Sequence, residues 1–325
     1  MEYVKLGNTG LDVSKISLGC MGFGDADKWI HDWVLNEEDS RKIIKKALDL
    51  GINFFDTANV YSIGTSEEFL GRALKDYAKR EEVVIATKIH GKMHEGPNGS
   101  GLSRKSIMQE VDASLERLGT DYIDLLYIHR WDYDTPIEET MRALDDLVRS
   151  GKVHYLGASS MYTYQFHEAQ NVAEKNGWTK FVAMQNHYNL VYREEEREMN
   201  RYAMETGVAL VPYSPLAAGR LARDWDSDTD RSKSDFIAQK KYDETEESDR
   251  KIIEAVGKVA EKHDATRAQI ATAWLWEKGI TAPIVGITKE KYLDDFVGAL
   301  EVKLDEEDMA ALEEHYVPHK IMGYS

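Results

Sequence analysis

The sequence predicts an α/β chain folded as a single (β/α)8 TIM barrel over residues 1–325, with an N-terminal β-hairpin plug and extra helices, and three observations predict it. Short apolar runs alternate with longer segments of helical period, as expected of successive βα units around a parallel sheet. The runs come to eight, the barrel number, and several helical segments are followed at once by a glycine, the usual helix stop. The 325-residue length fits, because one barrel commonly exceeds about 250 residues.

Taken in order, Tyr3 to Leu6 and Leu11 to Val13 flank Gly7-Asn8-Thr9-Gly10 and read as a hairpin able to plug the barrel floor. The barrel strands are expected at Ile16 to Leu18, Asn53 to Phe55, Val83 to Thr87, Ile123 to Ile128, Val153 to Gly157, Phe181 to Met184, Val208 to Pro212 and Pro283 to Val285. Helices are expected between them, among them Glu37 to Leu50, Arg104 to Leu118, Ile137 to Arg149 and Glu194 to Thr206, stopped by Gly51, Gly119, Gly151 and Gly207. The stretch 217–248 is rich in Asp, Ser, Arg and Lys and reads as a long insertion, a functional lid or a disordered segment. Asp249 to His263 and Thr266 to Lys278 make two helices where the barrel needs one, and Glu306 to Tyr316 leads into the tail.

Composition excludes several classes of function. With 42% apolar and 30% charged residues and no apolar run near the roughly 18 residues of a membrane helix, the chain reads as soluble. Its start has no basic stretch followed by an apolar core, which points to the cytoplasm. Cys20 is the one cysteine, so an internal disulfide is excluded, and no metal site is expected. A net charge of −17 would repel nucleic-acid phosphates and anionic membranes, leaving a local basic pocket for one small phosphate ligand.

In such a barrel the active site lies at the carboxyl ends of the strands, so the residues that end the apolar runs carry the chemistry. They are Asp56, Lys88, His129, Ser159, Gln185 and Asn186, and Tyr213 and Ser214. Any one alone is ordinarily a capping group; all converging on one rim make a site. A lysine beside a carboxylate stays protonated, and its charge is expected to lower the pKa of a nearby tyrosine. Tyr61, in the loop after Asp56, is placed to be that tyrosine. An acid of this kind suits carbonyl reduction, because hydride arrival builds negative charge on oxygen. His129 can donate a hydrogen bond to the same oxygen.

At this point the chain resembles a known family. FFDTANVYSIGTSEEFLGRAL, VVIATK, YIDLLYIHRWD, PIEETMRALDDLVRSGKVHYLGASS, QNHYNL and VPYSPLAAGRL are similar, in order, to segments of the aldo-keto reductases. HRWDYDTPIEET, GASSM and YREEERE resemble the bacterial and fungal branch related to aryl-alcohol dehydrogenases. The resemblance implies a catalytic tetrad of Asp56, Tyr61, Lys88 and His129. It also implies NADPH/NADP+ bound across the barrel mouth without a Rossmann fingerprint, which the sequence indeed lacks.

The resemblance further implies how each residue meets the cofactor. Ser159 and Gln185 hold the nicotinamide carboxamide beside Ser160, Tyr213 stacks on the ring, and Ser214, Pro215, Leu216, Gly219 and Arg220 cradle the pyrophosphate. Gly286, Thr288 and Lys289 meet the adenosine 2′-phosphate, with Tyr292 and Asp295 nearby and Gly22, Phe23 and Asp56 completing the cofactor surface. A cation at the 2′-phosphate is the physical basis for NADPH over NADH. The sequence departs from the common pattern at Ser160 and Phe296, each in a place often held by asparagine, and Lys289 supplies a point charge where arginine would give a bidentate fork.

Phe23, Trp29, Trp33 and Trp131 are the expected substrate walls, with the tail near Tyr324 or the 217–248 stretch closing over them. Such aromatics suggest a flat or apolar carbonyl or alcohol substrate, such as an aryl aldehyde. The partners implied are small molecules, with no nucleic acid and no membrane, and the sequence fixes no oligomeric state. Two other readings share these features. Family members such as the cytoplasmic β subunits of potassium channels carry the same tetrad but mainly regulate partners, and Lys88 at a strand end could form a Schiff base as an aldolase does, if it were neutral.

Overall fold

The computed structural model describes residues 1–29, 31, 33–227, 242 and 245–324. Strands β1 (Tyr3–Lys5) and β2 (Asp12–Ser14) form the expected antiparallel hairpin, with Val4 opposite Val13. The parallel sheet contains β3 (Ser17–Gly19), β4 (Phe54–Asp56), β5 (Val84–Ile89), β6 (Ile123–Ile128), β7 (Val153–Ser159), β8 (Phe181–Gln185), β9 (Ala209–Leu210) and β10 (Ile284–Gly286). From β3 to β9 each strand pairs with the next, and β10 pairs with β3. Backbone bonds from Thr281 N to Leu210 O (3.0 Å) and from Ile284 N to Pro212 O (2.8 Å) bring the last strand back to β9 and close the barrel.

Helices α1 (Glu37–Asp49), α2 (Thr65–Tyr77), α3 (Arg104–Leu118), α4 (Ile137–Arg149), α5 (Thr163–Asn176) and α6 (Met199–Thr206) alternate with the strands. Then come α7 (Glu246–Lys262), α8 (Arg267–Glu277), α9 (Lys291–Gly298) and α10 (Glu306–Glu313). Asn36, Ser103, Thr266 and Asp305 each accept a first-turn backbone N–H, capping α1, α3, α8 and α10. Gly119 and Gly207 adopt φ of 64° and 71° just past α3 and α6, a left-handed conformation that only glycine reaches without strain. No helix among the described residues is long and apolar enough to cross a membrane.

Strand parity builds two cores. Phe54, Val84, Ala86, Leu125, Tyr127, Ala183, Ala209 and Ile284 fill the barrel with Leu6 and Val13 of the hairpin region, which plugs the floor as expected. Phe55, Ile85, Leu126, Met184, Leu210 and Val285, their chain neighbours, face outward under the helices. Each fully buried Leu, Ile or Phe contributes about 1.5–3 kcal/mol, so a one-residue slip would be prohibitive.

Three expectations change. The helix expected over 194–206 divides at Glu198 (φ −147°, ψ −54°) into a 3-10 turn, Glu194–Arg197, and α6. The reason is tertiary: Glu194 accepts the Tyr316 hydroxyl and the His319 N–H, each at 2.7 Å, and Glu195 accepts the Tyr324 hydroxyl, so this segment clamps the C-terminal tail. The strand expected over 208–212 shortens to β9. The insertion over 217–248 shortens too, since Ala217–Ala222 is 3-10 helical and α7 starts at Glu246; the part of the expected lid at 228–241, 243 and 244 lies outside the described residues.

Candidate active site

The inward parity of the strands delivers the polar residues to one place. Phe54 points into the barrel, so Asp56 does too; the same step of two runs from Ala86 to Lys88, Tyr127 to His129, Gly157 to Ser159, Ala183 to Gln185 and Val211 to Tyr213. An apolar interior thus ends in a polar ring at the carboxyl face.

At its centre Lys88 is fully buried, and its ammonium donates to Asp56 Oδ1 at 2.5 Å, to the Thr57 carbonyl at 2.7 Å and to the Tyr61 hydroxyl at 3.3 Å. The amide Nε2 of Gln185 donates to Asp56 Oδ2 at 2.8 Å. Burial pulls the lysine pKa down, but Asp56 and Tyr61 together outweigh it and hold the group above its ordinary value. This lysine stays a cation, which is the wrong state for the Schiff-base reading.

For Tyr61 the expected direction is corrected. Lys88 does favour phenolate, but burial is the larger influence and raises the phenol above its ordinary value. The Tyr61 hydroxyl therefore keeps its proton at neutral pH. Burial, followed by the charges of Lys88 and Arg130, pushes His129 well below the ordinary histidine range, so its imidazole is neutral. The rings of Tyr61 and His129 meet edge to face with centroids 5.8 Å apart.

Local backbone geometry aims Tyr61. After it, Ser62 (φ 45°), Ile63 (φ 47°) and Gly64 (φ 91°) are left-handed in succession, a strained turn costing on the order of 1–3 kcal/mol per non-glycine residue. Packing holds it: Thr65 Oγ1 donates to the Ser62 carbonyl at 3.0 Å and accepts the Asp25 N–H at 2.9 Å. A Cβ on Gly24 would come within 2.5 Å of Ser62 Cβ, so glycine alone lets the two loops touch.

Beside the tetrad, Ser159 and Ser160 are almost fully buried and their hydroxyls lie 3.4 Å apart; Ser160 Oγ lies 3.2 Å from the Tyr213 hydroxyl. The loop beyond has left-handed residues at Ser214 (φ 58°), Ala217 (φ 47°), Ala218 (φ 56°) and Gly219 (φ 88°), and its Ala217 and Gly219 N–H groups donate to the Ser214 and Leu216 carbonyls at 3.0 and 2.8 Å. Pro215 is buried and Leu216 half-buried there. The Arg220 guanidinium lies 5.8 Å from the Trp225 ring and 5.6 Å from the Tyr242 ring. An amide and hydroxyls, then an aromatic face, then a cation suit the carboxamide, ring and pyrophosphate of a nicotinamide dinucleotide. Gly286 at the end of β10 is exposed, and beyond it Lys289 and Tyr292 are exposed while Thr288 and Asp295 are half-buried. Phe296 is buried in the outer core and so presents no ring to an adenine.

The expected substrate walls divide. The Trp29 ring lies edge to face with Tyr61 at 6.0 Å, and Trp131 is half-buried against the outer core. Trp33 lies against His31 at 4.9 Å and within 3.3 Å of where a Gly22 Cβ would stand. Phe23 is a correction: packing among the outer-core side chains leaves its ring no exposed face, so it walls no substrate. Cys20 is fully buried, and burial raises its thiol. The tail does reach the mouth, where the Tyr324 carbonyl accepts the Tyr133 hydroxyl at 3.2 Å and Gly323 lies against the Tyr213 hydroxyl. Sequence reading did not find the roles of Thr57, whose carbonyl is the third partner of Lys88, or of His187; the parity step from Gln185 to His187 was the available signal.

Comparison with known proteins agrees with this geometry. The Aldo/keto reductase family matches residues 15–317. A versiconal hemiacetal acetate reductase of Aspergillus parasiticus is 47% identical over 345 aligned positions, covering 99% of this chain and 98% of that protein. A Schizosaccharomyces pombe protein whose name includes aryl-alcohol dehydrogenase is 48% identical, covering 99% and 97%, and an aldo-keto reductase of Fusarium vanettenii is 45% identical, covering 100% and 94%. The family acts on small-molecule carbonyl compounds and generally uses NAD(P)H. With the barrel, the ordered motifs and full-length similarity in agreement, the chain belongs to the aldo/keto reductase family of oxidoreductases, and its relatives include aryl-alcohol-dehydrogenase-like members.

Proposed function

We propose that this chain is a cytoplasmic, NADPH-dependent reductase that converts aldehydes or ketones to alcohols, reversibly, with Tyr61 as the proton donor. The observation that carries the reading is the buried Lys88 ammonium, held between Asp56 Oδ1 at 2.5 Å and the Tyr61 hydroxyl at 3.3 Å. When bound, the cofactor supplies a hydride to the carbonyl carbon. Tyr61 gives its proton to the carbonyl oxygen, and Lys88 stabilises the phenolate left behind. Asp56 keeps Lys88 charged and aimed. The neutral His129 ring, edge to face with Tyr61, donates an N–H that fixes the direction of the oxygen.

Ser159 and Gln185 would hold the carboxamide, Tyr213 the ring, the 214–219 loop with Arg220 the pyrophosphate, and Lys289 the 2′-phosphate. Trp29 beside Tyr61 favours flat apolar carbonyls such as aryl aldehydes. The test is a panel of aldehydes and ketones followed by NADPH absorbance, with Tyr61→Phe as control. Tyr61→Phe should bind NADPH normally and lose most turnover; near-normal turnover in that variant would remove Tyr61 as the acid.

A further inference from the structure

Behind Tyr213 lies a second ring that the reaction as described does not use. His187 is fully buried and almost parallel to Tyr213, with centroids 5.3 Å apart and 7° between planes. On its other face it stacks on Tyr192, at 4.2 Å and 15°. The three rings form a column that ends at Tyr213.

Hydrogen bonds fix the imidazole plane. His187 Nε2 lies 2.6 Å from the Tyr242 hydroxyl, which also accepts from Asn189 Nδ2 at 3.3 Å. The same Asn189 amide donates to the Ser214 carbonyl at 2.9 Å. The Asn189 amide also lies 3.4 Å from His187 Nε2, so the Tyr242 hydroxyl and the Asn189 amide meet the same ring nitrogen from two directions. A histidine χ2 is a broad torsion, so rotamer preference alone would leave the ring plane loose. Tyr242 sets the plane of His187, His187 backs Tyr213, and Asn189 ties this network to the residue after Tyr213.

We infer that His187, oriented by Tyr242, is a positioning residue for hydride transfer: it fixes the plane of Tyr213 and through it the nicotinamide. The inference rests on the reading that Tyr213 carries the nicotinamide. Its chemical logic is that a hydride donor must stand within a fraction of an ångström of its acceptor, and a displacement of about 1 Å can cost on the order of 10²-fold in rate. A ring stacked on a tilted Tyr213 would still bind, but in the wrong attitude.

The experiment uses the full chain and three variants. Tyr242→Phe keeps the ring and removes the hydroxyl that meets His187 Nε2. It should lower kcat by about 10- to 100-fold, enlarge the isotope effect with NADPH deuterated at the transferred position, and leave NADPH affinity within about threefold. In cofactor-free protein, ¹⁵N histidine spectra should show a single tautomer for His187 that becomes mixed in Tyr242→Phe. His187→Phe stacks without needing the hydroxyl, so adding Tyr242→Phe to it should cause no further loss.

An unchanged isotope effect in Tyr242→Phe, or an unchanged His187 spectrum, would overturn the inference, as would a kcat loss that tracks the folded fraction in thermal melts. Tyr213→Ala separates the two levels. If it binds NADPH and transfers hydride normally, the parent reading of Tyr213 fails; if it is impaired while Tyr242→Phe is not, only the role of His187 fails.

Discussion

Asp56→Asn tests the electrostatic centre of the site, because it removes the charge that holds Lys88 while nearly preserving shape. Lys88 and Asp56 are almost wholly out of water, and their 2.5 Å contact is the shortest of the three that the ammonium makes. Breaking one partner of such a pair costs about 3–5 kcal/mol, since the remaining charge stays buried. The dependence on pH gives the reasoning a sharper edge. In the wild type the folded-state pKa of Lys88 is raised, so the stability it contributes is fully present below the ordinary lysine value of about 10.4 and is lost only as pH climbs through the higher folded value. In Asp56→Asn the largest influence left is burial, which lowers the lysine. The unfolded variant then binds more protons than the folded one, and its stability climbs with pH toward about 10.4, by up to about 1.4 kcal/mol per pH unit. Urea unfolding followed by tryptophan fluorescence, at intervals from pH 7 to pH 9.5, would read this directly. The deficit relative to wild type should be several kcal/mol at pH 7 and shrink steadily. A deficit below about 1 kcal/mol, or one that stays flat with pH, would mean that Lys88 does not depend on Asp56 for its charge.

Three further outcomes are expected. His129→Gln should lower kcat on the order of 10²-fold with NADPH binding intact; because the imidazole is already neutral, the wild type should show no histidine limb in kcat/KM between pH 6 and pH 8, and a limb near pH 6.5 that vanishes in the variant would make His129 the acid. Lys289→Ala should weaken NADPH roughly 10- to 100-fold and leave NADH unchanged, by fluorescence titration; equal losses would make the residue structural. Gly157→Ala would put a Cβ 2.5 Å from the buried Tyr127 ring and should cost about 1–3 kcal/mol in urea unfolding, whereas a neutral result would show that the interior layer beneath His129 can yield.

Much of this was legible in the chain itself. A parallel strand buried on both faces must be apolar throughout, so the eight runs stood out, and a step of two along each run carries Phe54 to Asp56 and Ala86 to Lys88 regardless of what surrounds them. Convergence of Asp56, Lys88, His129 and Gln185 at the carboxyl face follows from that period and from the barrel. Helix stops such as Gly119 were visible for a similar reason, because the left-handed turn is a demand of the local backbone.

Tertiary structure decided what depends on partners distant in the chain. Glu194 and Glu195 have a helical sequence context, yet they leave the helix because Tyr316, His319 and Tyr324 offer them hydrogen bonds. Phe23 reads as a loop aromatic and is core, since only the fold reveals which way its loop turns. The sign of the Tyr61 shift was beyond the sequence too. Proximity to Lys88 can be guessed from strand order, but the opposing penalty of burial depends on how completely the loops after β3 and β4 exclude water. The step of two from Gln185 reaches His187, but nothing in the chain says that Tyr192, Tyr213 and Tyr242 meet it, and only the packed molecule brings the four rings together.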